Sequence, residues 1–530
     1  MDLKSEEDIE KELGEGQTAL EIACESGSTD LALLLIDSGA NTYCGSSLHL
    51  AAKYNQVELL FEFLKRGSDV CYIDLNGQTA LHIACGSRST DVALLLVDRG
   101  ADVNLADHEA KTVLHKACES GMSDVALLFI ERGVDINLTD RYGQTALHKA
   151  CISGFTDVAL LFIDKGVDIN STDINGCTPL HVAARYNQVE ILVALIERGL
   201  DLYRTCSYEK ESEKALPFTA DLTVLSEDNV EKGQTALHET GEYGSTDVAS
   251  LLIDRGADIN MIDGFEQTAL HRAGACGSTD VALLLIDRGA DIDWTDNYRE
   301  TALHLAINKG NTEVAILLIE KGADLSLTNC VGNQPLQIAI EHRNTDIALA
   351  LIDKGANLSN EIGYSTLSIA VQYNHVEIFL ELLKRGLEFC DECGYTALHV
   401  ASKHSSRDVA LLLFDRGADI NLADDFGRTA LHIAIQSGST AIALLLIDRG
   451  ADLTLTDDSG HTPLHKAIKY NKEEICIELL NRGSKLGEIG ENGQTALHKA
   501  SKYGSTEVAL LLIDRGADLN LTDKCMSSVL

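Results

Sequence analysis

The chain has 530 residues, with 82 acidic side chains against 43 basic ones and a formal net charge of −39. A surface this acidic repels phosphate backbones and anionic headgroups, which excludes nucleic acid and membrane insertion and favours basic protein segments as partners. With 11 Phe, 14 Tyr, one Trp and only four Pro, an aromatic-rich sandwich or barrel core is excluded too, and a thin aliphatic core replicated along the chain is expected.

The acidic lead, residues 1–13, has neither the basic nor the apolar block of a secretory signal. Apolar runs such as 92–97 are far too short to span a bilayer. Fourteen Cys spread thinly along the chain suit free thiols in a reducing compartment, so a cytoplasmic or nuclear protein is expected.

Residues 14–200 carry six copies of one short phrase. Degenerate at Thr18 and Ser46, it reads Thr79-Ala80-Leu81-His82 and returns at Thr112, Thr145 and Thr178. Thr79 suits a helix N-cap, its hydroxyl accepting from the first free amides. Three of the four prolines, Pro179, Pro335 and Pro463, fall at the next position, where a helix has no use for an N–H. A polar turn follows. A second helix opens at Ser89-Thr90-Asp91, with Asp91 on the positive end of its dipole, and closes at Arg99-Gly100 with a left-handed exit. Residues 101–111 have the turn chemistry of a protruding hairpin loop.

Residues 201–233 interrupt the array. The stretch 203–232 is polar and charged, holds Pro217 and has no apolar period, so it reads as a loop projecting from a hairpin. Its Ser207-Tyr208-Glu209-Lys210-Glu211-Ser212 run is either idle or an element for docking or phosphorylation. Stacking across the insertion is expected to loosen. Nine further copies, starting at Thr235, Thr268, Thr301, Gln334, Ser365, Thr396, Thr429, Thr462 and Thr495, fill 234–524 ahead of a tail at 525–530. Ten of the fourteen intervals between starts are 33 residues. Neither short helix of a unit can bury its apolar face alone, so the expected class is an all-α helix-turn-helix solenoid held together by its neighbours.

This phrase and period resemble the ankyrin repeat family. Thr178-Pro179-Leu180-His181-Val182-Ala183 and Thr462-Pro463-Leu464-His465-Lys466-Ala467 match the family's helix start in full. Gly-Ala-Asp-x-Asn, beginning at Gly100, Gly256, Gly417 and Gly516, matches its second-helix exit. The resemblance covers 14–524. It implies a curved stack whose hairpins and first helices form a concave face, and a scaffold or adaptor that binds other proteins rather than an enzyme. A targeting arm or fragment of a larger multidomain enzyme or channel is the alternative, since the last unit ends in a hairpin without a polar capping helix. Asn104, Asn260, Asn421 and Asn520 each have an acidic residue two before, an aliphatic one before and Leu eight before. This is similar to the context hydroxylated in ankyrin repeats by a dioxygenase asparaginyl hydroxylase; the other reading is a structural hairpin asparagine.

Departures from the chain's own period single out partner-binding candidates. Four units replace the usual Ser/Gly turn by Tyr54-Asn55, Tyr186-Asn187, Tyr373-Asn374 and Tyr470-Asn471, while Tyr243 and Tyr503 hold the Tyr position alone. These tyrosines either pack over a neighbouring turn or form a ladder of contact anchors. Tyr142, Phe265, Tyr298 and Phe426 fall on hairpin tips, with Tyr364 and Tyr395 three residues further on in the shortened loops; a tip offers little core, so partner contact is expected. Trp294 stands in a row of hairpin aliphatics that includes Leu105 and Leu138. That row is expected to pack hairpin on hairpin, with Trp294 a candidate anchor. On the second helices, a row running from Phe61 and Leu94 to Leu510 is expected to be buried by a slight helix rotation; left exposed, it would make an apolar stripe.

Catalytic and metal chemistry is not expected, and no cofactor is implied. Twelve of the 17 His are the fourth residue of the phrase, spaced so that they do not converge, whereas zinc needs about four ligands within about 2.3 Å of one centre. Cys24, Cys85, Cys118 and Cys151 share one first-helix phase and read as small buried fillers. Cys390-Asp391-Glu392-Cys393 is a lone C-x-x-C without a second pair. No Gly-rich phosphate loop, nucleophile elbow or HExxH string occurs. The oligomeric state stays open.

Overall fold

The computed structural model describes residues 18–40, 45–206, 233–358, 366–385, 394–486 and 493–522. The acidic lead, most of the insertion, Tyr364, the Cys390/Cys393 pair and the tail lie outside the described residues. Within them are thirty helices, paired as fifteen helix-turn-helix units, and no strand. The expected all-α helical repeat is what the chain forms.

The recurrent phrase builds the first helix as its chemistry dictates. Thr79 is extended (φ −85°, ψ 166°) ahead of the helix Ala80–Gly86, and its hydroxyl and the His82 ring exchange hydrogen bonds with each other's backbone amides in a capping box. The same box recurs at Thr112, Thr145, Thr178, Thr235 and Thr301, among others. In the degenerate unit at Gln334, Gln337 replaces His and completes the box through its amide. Where Gly is the C-cap of the first helix, it takes positive φ, as at Gly121 (74°) and Gly154 (72°), a conformation that costs Gly least.

The Tyr-Asn turns solve the same geometry differently. Asn55, Asn187, Asn374 and Asn471 have φ of 53°, 55°, 57° and 51°, a region Asn tolerates better than most residues. The side chain then does a second task. Oδ1 of Asn55 accepts from the amide of Val92 at 3.2 Å, and its amide nitrogen donates to Asp91 at 3.0 Å. Asn187 repeats this with Val248 and Asp247. Each Asn therefore satisfies the free amides of the next unit's second helix, Thr90–Asp98 or Thr246–Asp254, whose own N-cap side chains make no capping bond.

The core is as thin as the composition implies. It is lined by Leu81, Leu96, Leu114 and Leu147, by Phe63, Phe129, Phe162 and Phe379 on second helices, and by the small residues Ala84, Cys85, Cys118 and Cys151. Burial pushes the Cys151 thiol up to about 12 and that of Cys24 to about 11, so these are inert fillers. The second-helix row differs from expectation: Leu94, Phe61, Leu283 and Ile477 are exposed, and Leu510 is 51% exposed. The helices turn Val92, Ala93, Leu96 and Val97 inward, which leaves the intervening Leu94 on the outer side.

The chain divides into two compact units between Asp291 and Ile292. The first holds eight helix pairs, up to Thr279–Asp287; the second holds seven, from Ala302–Lys309 onward. Within the first unit the stack does not loosen at the insertion. Cys206 and Gln234 exchange backbone hydrogen bonds of 2.8 and 3.1 Å in an antiparallel bridge. Across it, Arg185 pairs with buried Glu239 at 3.0 Å, and Ser245 Oγ donates to the Arg185 carbonyl at 3.1 Å.

Candidate functional site

The hairpin tips are rigid for a reason visible in the loop sequence. In each regular unit one Asp folds its own loop: Oδ1 of Asp140 accepts from the amides of Tyr142 and Gln144, both at 2.9 Å, and Asp424 does the same for Phe426 and Arg428. Asp263 and Asp296 hold Phe265 and Tyr298 in the same way. Successive tips are also linked through their backbones. The carbonyl of Tyr142 accepts from Ile174 at 3.0 Å, that of Tyr298 from Cys330 at 2.8 Å, and that of Phe426 from Asp458 at 3.1 Å.

On this fixed backbone the aromatic side chains face outward. Tyr298 is 55% and Phe426 54% exposed, and Trp294 is exposed as well, whereas Tyr142 and Phe265 are half-buried. Cations lie over several rings: Arg141 over Tyr142 at 5.2 Å and Arg428 over Phe426 at 4.8 Å. Arg428 also donates to the Tyr395 hydroxyl at 2.7 Å.

The second group sits at the ends of first helices. Tyr243 and Tyr503 are the last residues of Ala236–Tyr243 and Ala496–Tyr503, Tyr186 and Tyr470 are C-caps, and Tyr54 and Tyr373 follow the helices Gly45–Lys53 and Thr366–Gln372. Tyr54, Tyr186, Tyr243 and Tyr503 are exposed and Tyr373 and Tyr470 half-buried. A basic side chain stacks on most of them: Lys53 on Tyr54, Arg185 on Tyr243 at 5.0 Å, Lys469 on Tyr470, Lys502 on Tyr503. Turn packing and solvent presentation thus coexist. These rings lie against a cation and stay partly exposed.

The candidate asparagines have structural partners. The amides of Asn104, Asn260, Asn421 and Asn520 donate to the Asp two residues before. Oδ1 of Asn260 and of Asn421 accepts from the next loop, at Asp291 (2.9 Å) and Asp452 (2.8 Å). The motif histidines do not gather. Each sits within its own unit; in several, Nδ1 accepts from the motif Thr and Nε2 meets a carbonyl of the following loop, as with His115 and Gln144 at 3.0 Å.

One cluster escaped the sequence reading. Cys177, Cys206 and Glu239 are all buried and place one ligand atom each within 4.8 Å of one another, the only such group of three among the described residues. The signal lay in the period: these positions hold Gln78, Asp107 and Lys116 in an ordinary unit, where the same side chains are joined at 3.2 and 3.4 Å.

Among the described residues no helix is long and apolar enough to cross a membrane. No curated protein matches the chain. A family model described as ankyrin repeats in three copies matches residues 48–140, 127–206, 213–296, 289–362, 367–457 and 431–523. With the capped helix pairs, the left-handed exits and the linked hairpins, those matches cover most of the sequence, and the chain belongs to the ankyrin-repeat family, whose repeats generally mediate protein–protein interaction.

Proposed function

We propose that this protein is a non-catalytic scaffold or adaptor that holds a partner along the face made by its hairpin tips and first helices. The observation that carries this reading is the set of exposed aromatics on a backbone fixed by Asp-amide bonds and tip-to-tip hydrogen bonds. Rigid aromatic anchors contribute contact area at small entropic cost, and such residues dominate binding energy. Tyr142, Phe265, Trp294, Tyr298 and Phe426 supply the tips; Tyr54, Tyr186, Tyr243, Tyr373, Tyr470 and Tyr503 supply the helix ends. A net charge of −39 favours a basic segment in the partner. A cytoplasmic or nuclear location belongs to the same proposal, because thiols buried as core fillers suit a reducing compartment.

Affinity purification with the wild type beside a Tyr142→Ala/Tyr298→Ala/Phe426→Ala variant tests it. Partners retained by the wild type and lost by a variant of unchanged helicity and melting temperature are expected. Equal recovery by both would overturn the assignment of the tips.

A further inference from the structure

The repeat supplies its own control for reading the Cys177–Cys206–Glu239 cluster. In four units the loop Asp is paired with a basic residue of the following first helix: Asp107 with Lys116, Asp140 with Lys149, Asp263 with Arg272 and Asp457 with Lys466. At the unit that carries the insertion, the Asp position is Cys206 and the basic position is Glu239. The Gln that reaches the Asp from the preceding loop, Gln78 in an ordinary unit, is Cys177. Charge is inverted one position further out as well: Glu119 meets Lys149 at 3.6 Å, whereas its counterpart Arg185 meets Glu239 at 3.0 Å. Three positions have together changed from an amide–acid–base triad to two thiols and a carboxylate.

We propose that Cys177, Cys206 and Glu239 form a binding site for a soft divalent cation of the zinc class at the base of the insertion. Two sulfurs and a carboxylate oxygen are the donors such a cation selects. Around a tetrahedral centre with metal–sulfur bonds of about 2.3 Å and metal–oxygen bonds of about 2.1 Å, sulfur and oxygen stand about 3.6 Å apart. Cys206 Sγ and Glu239 Oε1 are 3.5 Å apart already.

The charges balance. Without a cation the cluster holds two neutral thiols, the Glu239 carboxylate and the Arg185 guanidinium. On binding, two S–H protons leave to solvent, two metal–sulfur bonds and one metal–oxygen bond form, and a water takes the fourth position. Two thiolates and a carboxylate then offset the dication and Arg185, so the buried net charge is zero in both states. Arg185, 3.0 Å from Glu239 Oε2 and 3.8 Å from Cys177 Sγ, becomes the outer partner that orients the carboxylate. Because the ligands come from two successive loops and the next first helix, the ion would fasten three consecutive units where the chain leaves for the insertion.

The test is titration of the full, metal-stripped chain with cadmium(II) alone under a phosphine reductant, following the thiolate-to-metal charge-transfer absorbance. The comparison is a Cys177→Gln/Arg185→Glu/Cys206→Asp/Glu239→Lys variant, which restores the ordinary triad together with the outer acid that Glu119 supplies to Lys149 and is expected to fold. The wild type should take up one more equivalent than the variant with a matching increment in the band, and stoichiometric zinc should raise its melting temperature alone. Cys177→Ser, a smaller change, should lose about half of that increment by removing one of the two thiolates. Equal uptake and equal bands in wild type and both variants would overturn the proposal, as would a Cys177–Cys206 disulfide that resists the reductant.

Discussion

Nε2 of His82 lies 3.2 Å from the carbonyl of Lys111, 29 residues further on, while Nδ1 of the same ring accepts from the Thr79 amide at 3.2 Å. Since an amide can only donate, Nδ1 is the bare nitrogen and Nε2 carries the hydrogen that bonds Lys111. The ring ties its own helix start to the end of the loop that leads into the next unit, and it does so only when neutral.

A pH dependence of stability follows, with a definite sign. Burial holds His82, His115, His148, His238 and His399 below the usual imidazole range, and brings His181 and His432 to about 4. The unfolded chain binds these protons first, at about pH 6.5. Stability is therefore complete above about 6.5 and falls as pH drops toward 4, by roughly 3 kcal/mol for each of His181 and His432. The sequence pI is 4.7, so net charge shrinks from about pH 6.5 down to 4.7 and relieves repulsion; a melting temperature that falls in that interval points to the histidines. His432→Gln, which copies the natural Gln337, should flatten the profile.

Loss of the Asn that caps a neighbouring helix should be felt one unit away. Asn187→Gly, which keeps the left-handed turn, frees the amide of Val248 and is expected to cost about 1 kcal/mol. Hydrogen exchange should rise first in Thr246–Asp254, beyond the insertion, rather than around residue 187.

Asp457 combines a loop-folding role with a buried pair. Its carboxylate accepts from the amides of Ser459 and His461 and meets Lys466 at 2.6 Å. Burial opposes ionisation, but Lys466 and these amides outweigh it and hold the carboxyl below the usual range. Asp457→Ala should cost about 3–5 kcal/mol in urea unfolding. Asp457→Asn should cost clearly less, because Asn329 occupies the same phase and keeps both amide bonds.

Gly241 sets helix propensity against space. Gly to Ala inside a helix ordinarily gains about 1 kcal/mol, yet a Cβ here would stand 2.4 Å from the carbonyl oxygen of Ala269. That neighbour is backbone and cannot swing aside. Gly241→Ala should lower the melting temperature and loosen Ala236–Tyr243 from Ala269–Cys276.

For the partner, the acidic surface makes salt the discriminating variable. Affinity for a basic segment should weaken clearly between low and high ionic strength, chiefly through a slower association rate. An affinity flat in salt, measured by titration calorimetry, would reject the basic-segment assignment.

Much of this architecture was legible before any coordinates, because each unit writes its boundaries in residues with few alternatives. Thr79 and His82 announce a helix start, Gly100 an exit, and the 33-residue spacing repeats both. The purpose of the Tyr-Asn turns was half legible. Tyrosine drew attention as an interface residue, while the capping by Asn55 of an amide 37 residues away depends on which turn faces which helix. The cluster at Cys177 was hidden for a related reason. Cysteines grouped by their phase in the first helix leave out Cys177 and Cys206, which belong to loop positions in different phases and meet only through the 29-residue offset that joins neighbouring hairpins. The outward turn of Leu94 was missed because the unbroken apolar run 92–97 within Thr90–Asp98 does not mark its own buried side.

The hydrogen-bonded closure between Cys206 and Gln234 makes the array indifferent to what lies between them. Entry and exit are adjacent, so the next capped helix, Ala236–Tyr243, starts directly after the bridge. Length and content of the intervening segment can drift or be exchanged wholesale while the flanking repeats keep their register. A foreign domain spliced there would ride as cargo on an unaltered frame.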